Sequence, residues 1–522
     1  SSIDGRRDHP AAAALRDVEH RYGVRIVYGR RRLHAIGAGI TAAPDVLLLD
    51  LSHAEPLRLE LFKFRLYERF GLRSDPYEHV WDYEQYVRLA EPGLAAVRAI
   101  GGCGPGIECV VVAHEFMGMP TALAAMLHEE YACRTVFHAH EVAAVRKIVE
   151  EHPGHDAMFY NVLRRARSDG RFLKDVFGSQ IDNFKHPLVK AARHCDAILA
   201  VGDQVVEELR FLGPEFADAP IHLAYNGIPA HTETPAQETA SRERLRDYAE
   251  TLLGFRPDFV FTHVTRLVRS KGLWRDLDVL AHVDRALLAE DRTAVLFVLS
   301  TEIGGPRPAA DVRRMEREWD WPLAHREGWP DLTSGEAAYY ASVQAFNARS
   351  RACKIVFINQ FGFDREHCGE RMPAAMEFWD VRRGSDVEFG LSVYEPFGIA
   401  PIEAMSYGCV SVISTMSGCA GFVNRVTDGE PAPNVLIADY TALDRPVERV
   451  EDLLNLNDAD RRRLEGATAR DVANRLMKVL PRTPADRAVL LDRGHRIASR
   501  MSWDAVANSY ILPVLRDVFR AH

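Results

Sequence analysis

Short, nearly unbroken apolar runs alternate with amphipathic stretches along the first half of the chain. Val24-Arg25-Ile26-Val27-Tyr28, Val46-Leu47-Leu48-Leu49, Cys109-Val110-Val111-Val112, Thr135-Val136-Phe137 and Ala197-Ile198-Leu199-Ala200 read as strands. Runs of about four to six apolar residues suit strands covered on both faces, as in a parallel sheet. Between them, Thr121 to Tyr131 and Pro187 to His194 carry helical spacing. This βαβα alternation predicts an α/β, doubly wound sheet.

The pattern starts again after Asn226-Gly227-Ile228-Pro229. The stretch His231 to Glu243, rich in Thr, Glu and Ala, reads as a linker or exposed loop. Strands recur at Phe259-Val260-Phe261, Ala294 to Val298, Lys354 to Phe357 and Val410 to Ile413. Two α/β domains are therefore expected, over 1–229 and 230–500. In the tail, Val506, Tyr510, Leu512, Leu515 and Val518 fall at helical spacing. A C-terminal helix over 501–522 is expected to return to the first domain.

Composition narrows the class. The chain has 522 residues, 47% hydrophobic and 27% charged, which excludes a mainly disordered, collagen-like or disulfide-scaffold protein. Acids outnumber bases 74 to 65, a net charge of −9, so bulk attraction to nucleic acid or anionic lipid is not expected. There is no uncharged apolar run of roughly 18 residues, the length a membrane span needs. The eight Cys form no CxxC pair, which suits reduced thiols and a cytoplasmic location. The sequence opens Ser-Ser rather than Met, with no signal-like apolar segment, as expected of a processed product or of a fragment whose true start lies upstream.

Three segments carry candidate chemistry. In Tyr394-Glu395-Pro396-Phe397-Gly398-Ile399-Ala400-Pro401-Ile402-Glu403, a helix is expected to begin near Ile399, and its first N–H groups would form an anion site. Glu395 would stand in the entry loop, and Glu403 could accept hydrogen bonds from a ribose diol. The plain alternative is a helix-dipole acid plus an ordinary helix Glu. In Thr265-Arg266-Leu267-Val268-Arg269-Ser270-Lys271-Gly272, Arg266 and Lys271 follow a strand and could hold a diphosphate, or form a solvated basic loop. His114-Glu115 and His138-Ala139-His140-Glu141 also follow buried strands. By composition they could suggest a metal site, but the strand-end HxH has no clear further ligands, and no metal is expected.

Two glycine-rich stretches, Gly37-Ala38-Gly39 and Gly101-Gly102-Cys103-Gly104-Pro105-Gly106, lack dinucleotide-binding spacing and read as loops. Asp276-Leu277-Asp278 falls inside a predicted helix and reads as surface.

Taken together, these segments resemble the retaining glycosyltransferases of the two-domain GT-B type, and among them the glycogen synthases of the fungal and animal kind. The likeness runs over nearly the whole chain. Val24 to Arg30 is similar to the family's VxFVYGRW, His114-Glu115-Phe116 to its HEW, and Thr135 to His140 to its TIFTTH-like strand end. Phe159-Tyr160-Asn161, His194-Cys195, Asn226-Gly227 and Ser417-Gly418 stand where it has FYN, HC, NG and SG. The specific parts are Glu395 to Glu403, matching EPxGxxxxE, and the RxxxxKG loop before it.

The resemblance implies two Rossmann-like domains facing a central cleft and a hexosyltransferase moving glucose from a nucleotide sugar, UDP-linked, to an α-glucan. It implies that His140 faces the transferred sugar and that Arg266 and Lys271 grip the donor diphosphate. Glu395 would lie beside the donor sugar, Glu403 on the ribose, and the N–H groups of Gly398 and Ile399 toward the phosphates. Tyr394 and Gly418 would belong to the donor side, Glu115 and His114 to the acceptor side, and Asn226 near the cleft. It implies no metal or cofactor; a homo-oligomer is left open.

Three departures qualify it. The family's KxGG-type glycine loop on its first strand is not found. Its arginine-dense C-terminal helix is replaced by the spread-out Arg487, Arg493, Arg496 and Arg500. Leu391-Ser392 stands for its Pro-Ser, which would relax that loop. A small acceptor and a non-catalytic nucleotide-sugar or glucan-binding homologue are the alternatives, and a nicotinamide oxidoreductase has only the α/β pattern behind it.

Overall fold

The computed structural model describes residues 3–5, 10–34, 41–230 and 233–520. Gly37-Ala38-Gly39 lies outside them, as does His231 of the expected linker. The chain divides into two units. The first holds the described residues through Val145, then Ala166–Ala224 and the residues from Ala507 on; the second holds Arg146–Arg165 and Tyr225–Val506. The main division thus falls at 224/225 rather than 229/230, and the segment 146–165 belongs with the second unit. None of the helices described is long and apolar enough to cross a membrane.

Among the described residues the first unit contains three sheets, the smallest being the antiparallel pair Leu33–His34 with Thr41–Ala42. Strands β1 (Ile3–Gly5), β2 (Arg25–Arg31) and β3 (Asp45–Asp50) pair antiparallel. The expectation that Val24–Tyr28 and Val46–Leu49 lie in a parallel sheet buried on both faces is corrected here. Val27 is 51% exposed and Leu48 48%, while Ile26, Tyr28, Leu47 and Leu49 turn toward the core. A sheet wet on one face is the antiparallel habit.

The remaining sheet is parallel: β4 (Cys109–His114), β5 (Cys133–Ala139), β6 (Ala197–Ala200) and β7 (Ile221–Leu223), side by side in chain order. Helix α1 (Trp81–Ala99) packs against α2 (Glu115–Leu127), and α2 against β4 and β5. The C-terminal helix Leu512–Arg520 returns to this unit, setting Val514 and Val518 against Val136, Ala197, Leu199 and Ala224.

The second unit is built on six parallel strands: β8 (Phe259–Val264), β9 (Ala294–Leu299), β10 (Cys353–Ile358), β11 (Val387–Gly390), β12 (Val410–Ser414) and β13 (Val435–Ala438). Their spatial order is β10-β9-β8-β11-β12-β13, the doubly wound order that reverses between β8 and β11. Alternate residues of one strand enter different cores. Ala294, Leu296 and Val298 join one cluster, and Val295, Phe297 and Leu299 the other. This two-sided burial explains the unbroken apolar runs.

The expected linker is instead the start of a helix, α3 (Pro235–Leu253). Thr234 accepts from the Gln237 N–H (3.3 Å) and Gln237 caps back, with Pro235 at the first helical position. Its apolar face, Leu245, Tyr248, Ala249 and Leu252, lies beyond the stretch that reads as polar.

Candidate active site

In the second unit, the loops after β8 and β11 meet where the strand order reverses, at the carboxyl edge where open α/β sheets leave a ligand crevice. The Val393 and Tyr394 N–H groups donate to the Ser270 carbonyl (2.7 and 3.1 Å) and fasten the two loops together. Lys271 Nζ forms an ion pair with Glu395 Oε2, and Ser392 Oγ lies 3.4 Å from the same oxygen. Arg266 stands exposed, with no ion-pair partner among the described residues. Tyr394 is buried, with the Arg146 guanidinium 5.1 Å above its ring.

Past Glu395 the chain turns through Gly398, whose φ is +89°. A Cβ there would lie 2.9 Å from Glu395 Cγ, so glycine lets the backbone close against the carboxylate stem. Among the described residues, the Gly398 and Ile399 N–H groups have no backbone acceptor. The expected helix is short: a single turn over Ala400–Glu403 passes at once into a 3-10 turn over Ala404–Tyr407. Glu403 Oε2 stands 3.0 Å from Arg382 Nε, and Arg382 Nη1 stands 3.2 Å from the buried Glu388. Neither pair is aligned as a hydrogen bond. The Gly418 N–H donates to the Glu395 carbonyl (3.0 Å) and the Cys419 N–H to Phe397 (2.8 Å). Asn226 is half-buried beside Tyr225, whose ring stacks on Phe422 at 4.3 Å.

Sequence reasoning missed the group behind this loop. Arg275, in the helix α4 (Leu273–Ala289), is fully buried. Its Nη2 donates to both Asp156 oxygens (2.8 and 3.0 Å), its Nε to Glu465 (2.7 Å), and its Nη1 to the Leu391 and Ser392 carbonyls (3.3 and 3.2 Å). Burial raises the Asp156 carboxyl against the pull of Arg275. Leu391-Ser392 is therefore pinned rather than relaxed. The reading of Asp276-Leu277-Asp278 as surface is corrected in part: Asp276 is buried and lies 2.6 Å from His263 Nδ1, whereas Asp278 is exposed. Asp276 falls on the apolar stripe of α4 with Leu273, Leu280, Val283 and Leu287, and that position was the available signal.

The first unit gathers the histidines. His114 and His138 are in register at the carboxyl ends of β4 and β5. His114 Nδ1 lies 2.9 Å from His140 Nε2, and nitrogens of His114, His138 and His140 all fall within 4.8 Å. The structure thus supplies the third partner that the HxH pattern lacked, and these imidazoles could hold a divalent cation or face a sugar. Burial pushes His138 down to about 3 and His140 to about 4, so both are neutral near pH 7. Glu115 adopts φ +58°, a left-handed conformation costing a non-glycine residue about 1 kcal/mol or more. Its Oε1 accepts from the His140 and Glu141 N–H groups, the latter at 2.7 Å. Desolvation, then the Glu141 charge, raises Glu115 to about 7.

No family model matches the chain. A "Glycogen [starch] synthase" of Dictyostelium discoideum is 25% identical over 97 residues, 19% of this chain and 10% of that protein. The chain therefore spans about a tenth of the length of this relative. Among solved structures, a sucrose-phosphate synthase from Thermosynechococcus elongatus is 16% identical, with a TM-score of 0.46 over 84% of this chain and 79% of that one. A UDP-forming trehalose-phosphate synthase from Burkholderia xenovorans is 15% identical, TM-score 0.47, over 94% and 90%. A trehalose 6-phosphate synthase from Burkholderia multivorans is 13% identical, TM-score 0.49, over 94% and 86%. Similarity at this depth decides nothing about activity, and the α/β architecture stands on the sheets themselves.

Proposed function

We propose that this chain is a retaining hexosyltransferase of the GT-B kind, drawing its sugar from a nucleoside-diphosphate donor. The observation that carries this reading is the meeting of Lys271 and Glu395 from loops on either side of the strand-order reversal. Departure of a diphosphate leaves negative charge. Arg266, exposed and unpaired, and Lys271 supply cations for it, and the free N–H groups of Gly398 and Ile399 supply dipoles. The reacting sugar turns cationic, and the Glu395 carboxylate is the anion nearest the Lys271 ammonium to answer it. In the donor-free protein each neutralises the other, so a diphosphate drawing Lys271 away would free Glu395 for the sugar. Glu403, through its oxygen not facing Arg382, is the ribose acceptor in this reading.

His140, toward the transferred sugar, and His114, on the acceptor side, offer neutral imidazoles that donate and accept hydrogen bonds to hydroxyls without fixing a charge. Glucose and an α-glucan acceptor are the first substrates to try, on the motif resemblance and on the name of the Dictyostelium relative. The test is release of nucleoside diphosphate from UDP-, ADP- and GDP-sugars, with glycogen, free sugars or glucose 6-phosphate as acceptor. Acceptor-dependent release identifies donor and acceptor together, and the anomeric configuration of the product tests retention. Absence of both release and nucleoside diphosphate binding would end this proposal.

A further inference from the structure

The glycine-rich stretch after α1, which reads as a plain loop, carries one of three converging sulfurs. Cys103 sits within it and is 3% exposed. The loop returns on itself at Gly101 and Gly104, with φ +80° and +142°, conformations that favour glycine. Cys109 and Cys133 are in register at the amino ends of β4 and β5. Cys133 Sγ donates to Cys109 Sγ at 3.3 Å and lies 3.5 Å from the Tyr131 carbonyl. All three sulfurs fall within 4.8 Å of one another. The histidine group lies at the other ends of the same strands, five residues away by register, or about 16 Å.

We propose that Cys103, Cys109 and Cys133 form a thiolate site for one zinc-class cation, apart from the glycosyl-transfer residues. Zinc–thiolate bonds of about 2.3 Å place neighbouring sulfurs about 3.8 Å apart, so the observed spacing needs only small adjustment. Cys103 is buried while Cys109 and Cys133 are half-exposed, so the cation has an anchored inner ligand and a solvent path. Water or the Tyr131 carbonyl completes four-coordination. Arg98, 5.0 Å above the Tyr131 ring, supplies positive charge beside the surplus negative charge of three thiolates around a divalent ion. Without a cation, burial and mutual repulsion keep the Cys103 and Cys133 thiols protonated. Binding converts each thiol to a thiolate and releases its proton to solvent. The five other cysteines are buried and do not join this cluster.

The test uses the reduced full chain and Co2+ as probe. One Co2+ per chain with sulfur-to-metal charge-transfer absorption, displaced by Zn2+, is expected. Cys103→Ser should remove about a third of that absorption and weaken binding about tenfold or more. A measurement needing no variant runs beside it: Zn2+ should shield all three cysteines from alkylation in the wild-type chain, as counted by peptide mass. Co2+ bound without the sulfur band would place the ion on the histidines and overturn the proposal. So would absence of binding, or unshielded cysteines at saturating Zn2+. Loss of the sugar-transfer activity leaves these readouts untouched, so the two proposals fail separately.

Discussion

Glu395 and Glu115 both follow a parallel strand at its carboxyl edge, and their surroundings set them to opposite chemistry. Glu395 is paired with the Lys271 ammonium and near Ser392. Glu115 is 7% exposed, feels the like charge of Glu141 more than the opposite charge of Lys185, and holds its proton up to about pH 7. One carboxylate is held in an ion pair whose cation a ligand can draw away; the other is raised toward neutrality by desolvation. Two acids with the same strand-end signature therefore do different things, and the same Glu→Gln change separates them.

The largest effect should come from the support of the charged side. Arg275→Met leaves Asp156 buried without its cation and Glu465 with Arg461 alone, and is expected to cost about 3–5 kcal/mol. A urea unfolding midpoint unchanged from wild type would remove Arg275 from that role. Next, Glu395→Gln should lower turnover by about 100-fold or more while donor affinity changes little, as expected of a charge needed in the transition state. Equal turnover would sink its assignment.

Glu115→Gln should instead be read in stability against pH. The folded value of about 7 lies above the ordinary 4.5. The folded protein thus keeps a proton that the unfolded chain gives up. This contribution is fully present below about pH 4.5 and is lost as pH rises to about 7, on the order of 3 kcal/mol. Denaturant midpoints at pH 5 and pH 8 should lose that component in the variant, and an unaltered pH slope would contradict the buried, protonated acid. The smallest effect belongs to Arg266→Ala, which should weaken nucleoside diphosphate binding by about 1.5–3 kcal/mol in calorimetry, the scale of one charged hydrogen bond. Identical affinities would take Arg266 out of the diphosphate site.

Much of the strand framework was legible because a strand covered on both faces must be largely apolar, as β9 is throughout. The antiparallel N-terminal strands were misread because Leu47-Leu48-Leu49 is unbroken although Leu48 faces water. The helix α3 hid behind Pro235, which opens helices as readily as it ends them. Arg266, Lys271, Glu395 and Glu403 were singled out by motif, but no spacing rule pairs Lys271 with a carboxylate 124 positions away. Asp156 and Glu465 left no trace of their partnership with Arg275, since a buried ion network looks like ordinary helix charge in sequence.

The interleaving of the two units bears on how the chain can be made or divided. Asp156, needed beside Arg275, is synthesised more than a hundred residues before it, whereas Glu465 emerges long after. The first unit in turn waits for Val514 and Val518 to cover its parallel sheet. The first unit therefore waits for the last turns of the chain, and the second, which runs to Val506, cannot close before Glu465 is released. After a cut at 229/230 the later piece would carry the Arg275 guanidinium without Asp156 and the earlier piece a parallel sheet without its closing helix, and split expression should recover soluble protein only when both pieces are supplied together.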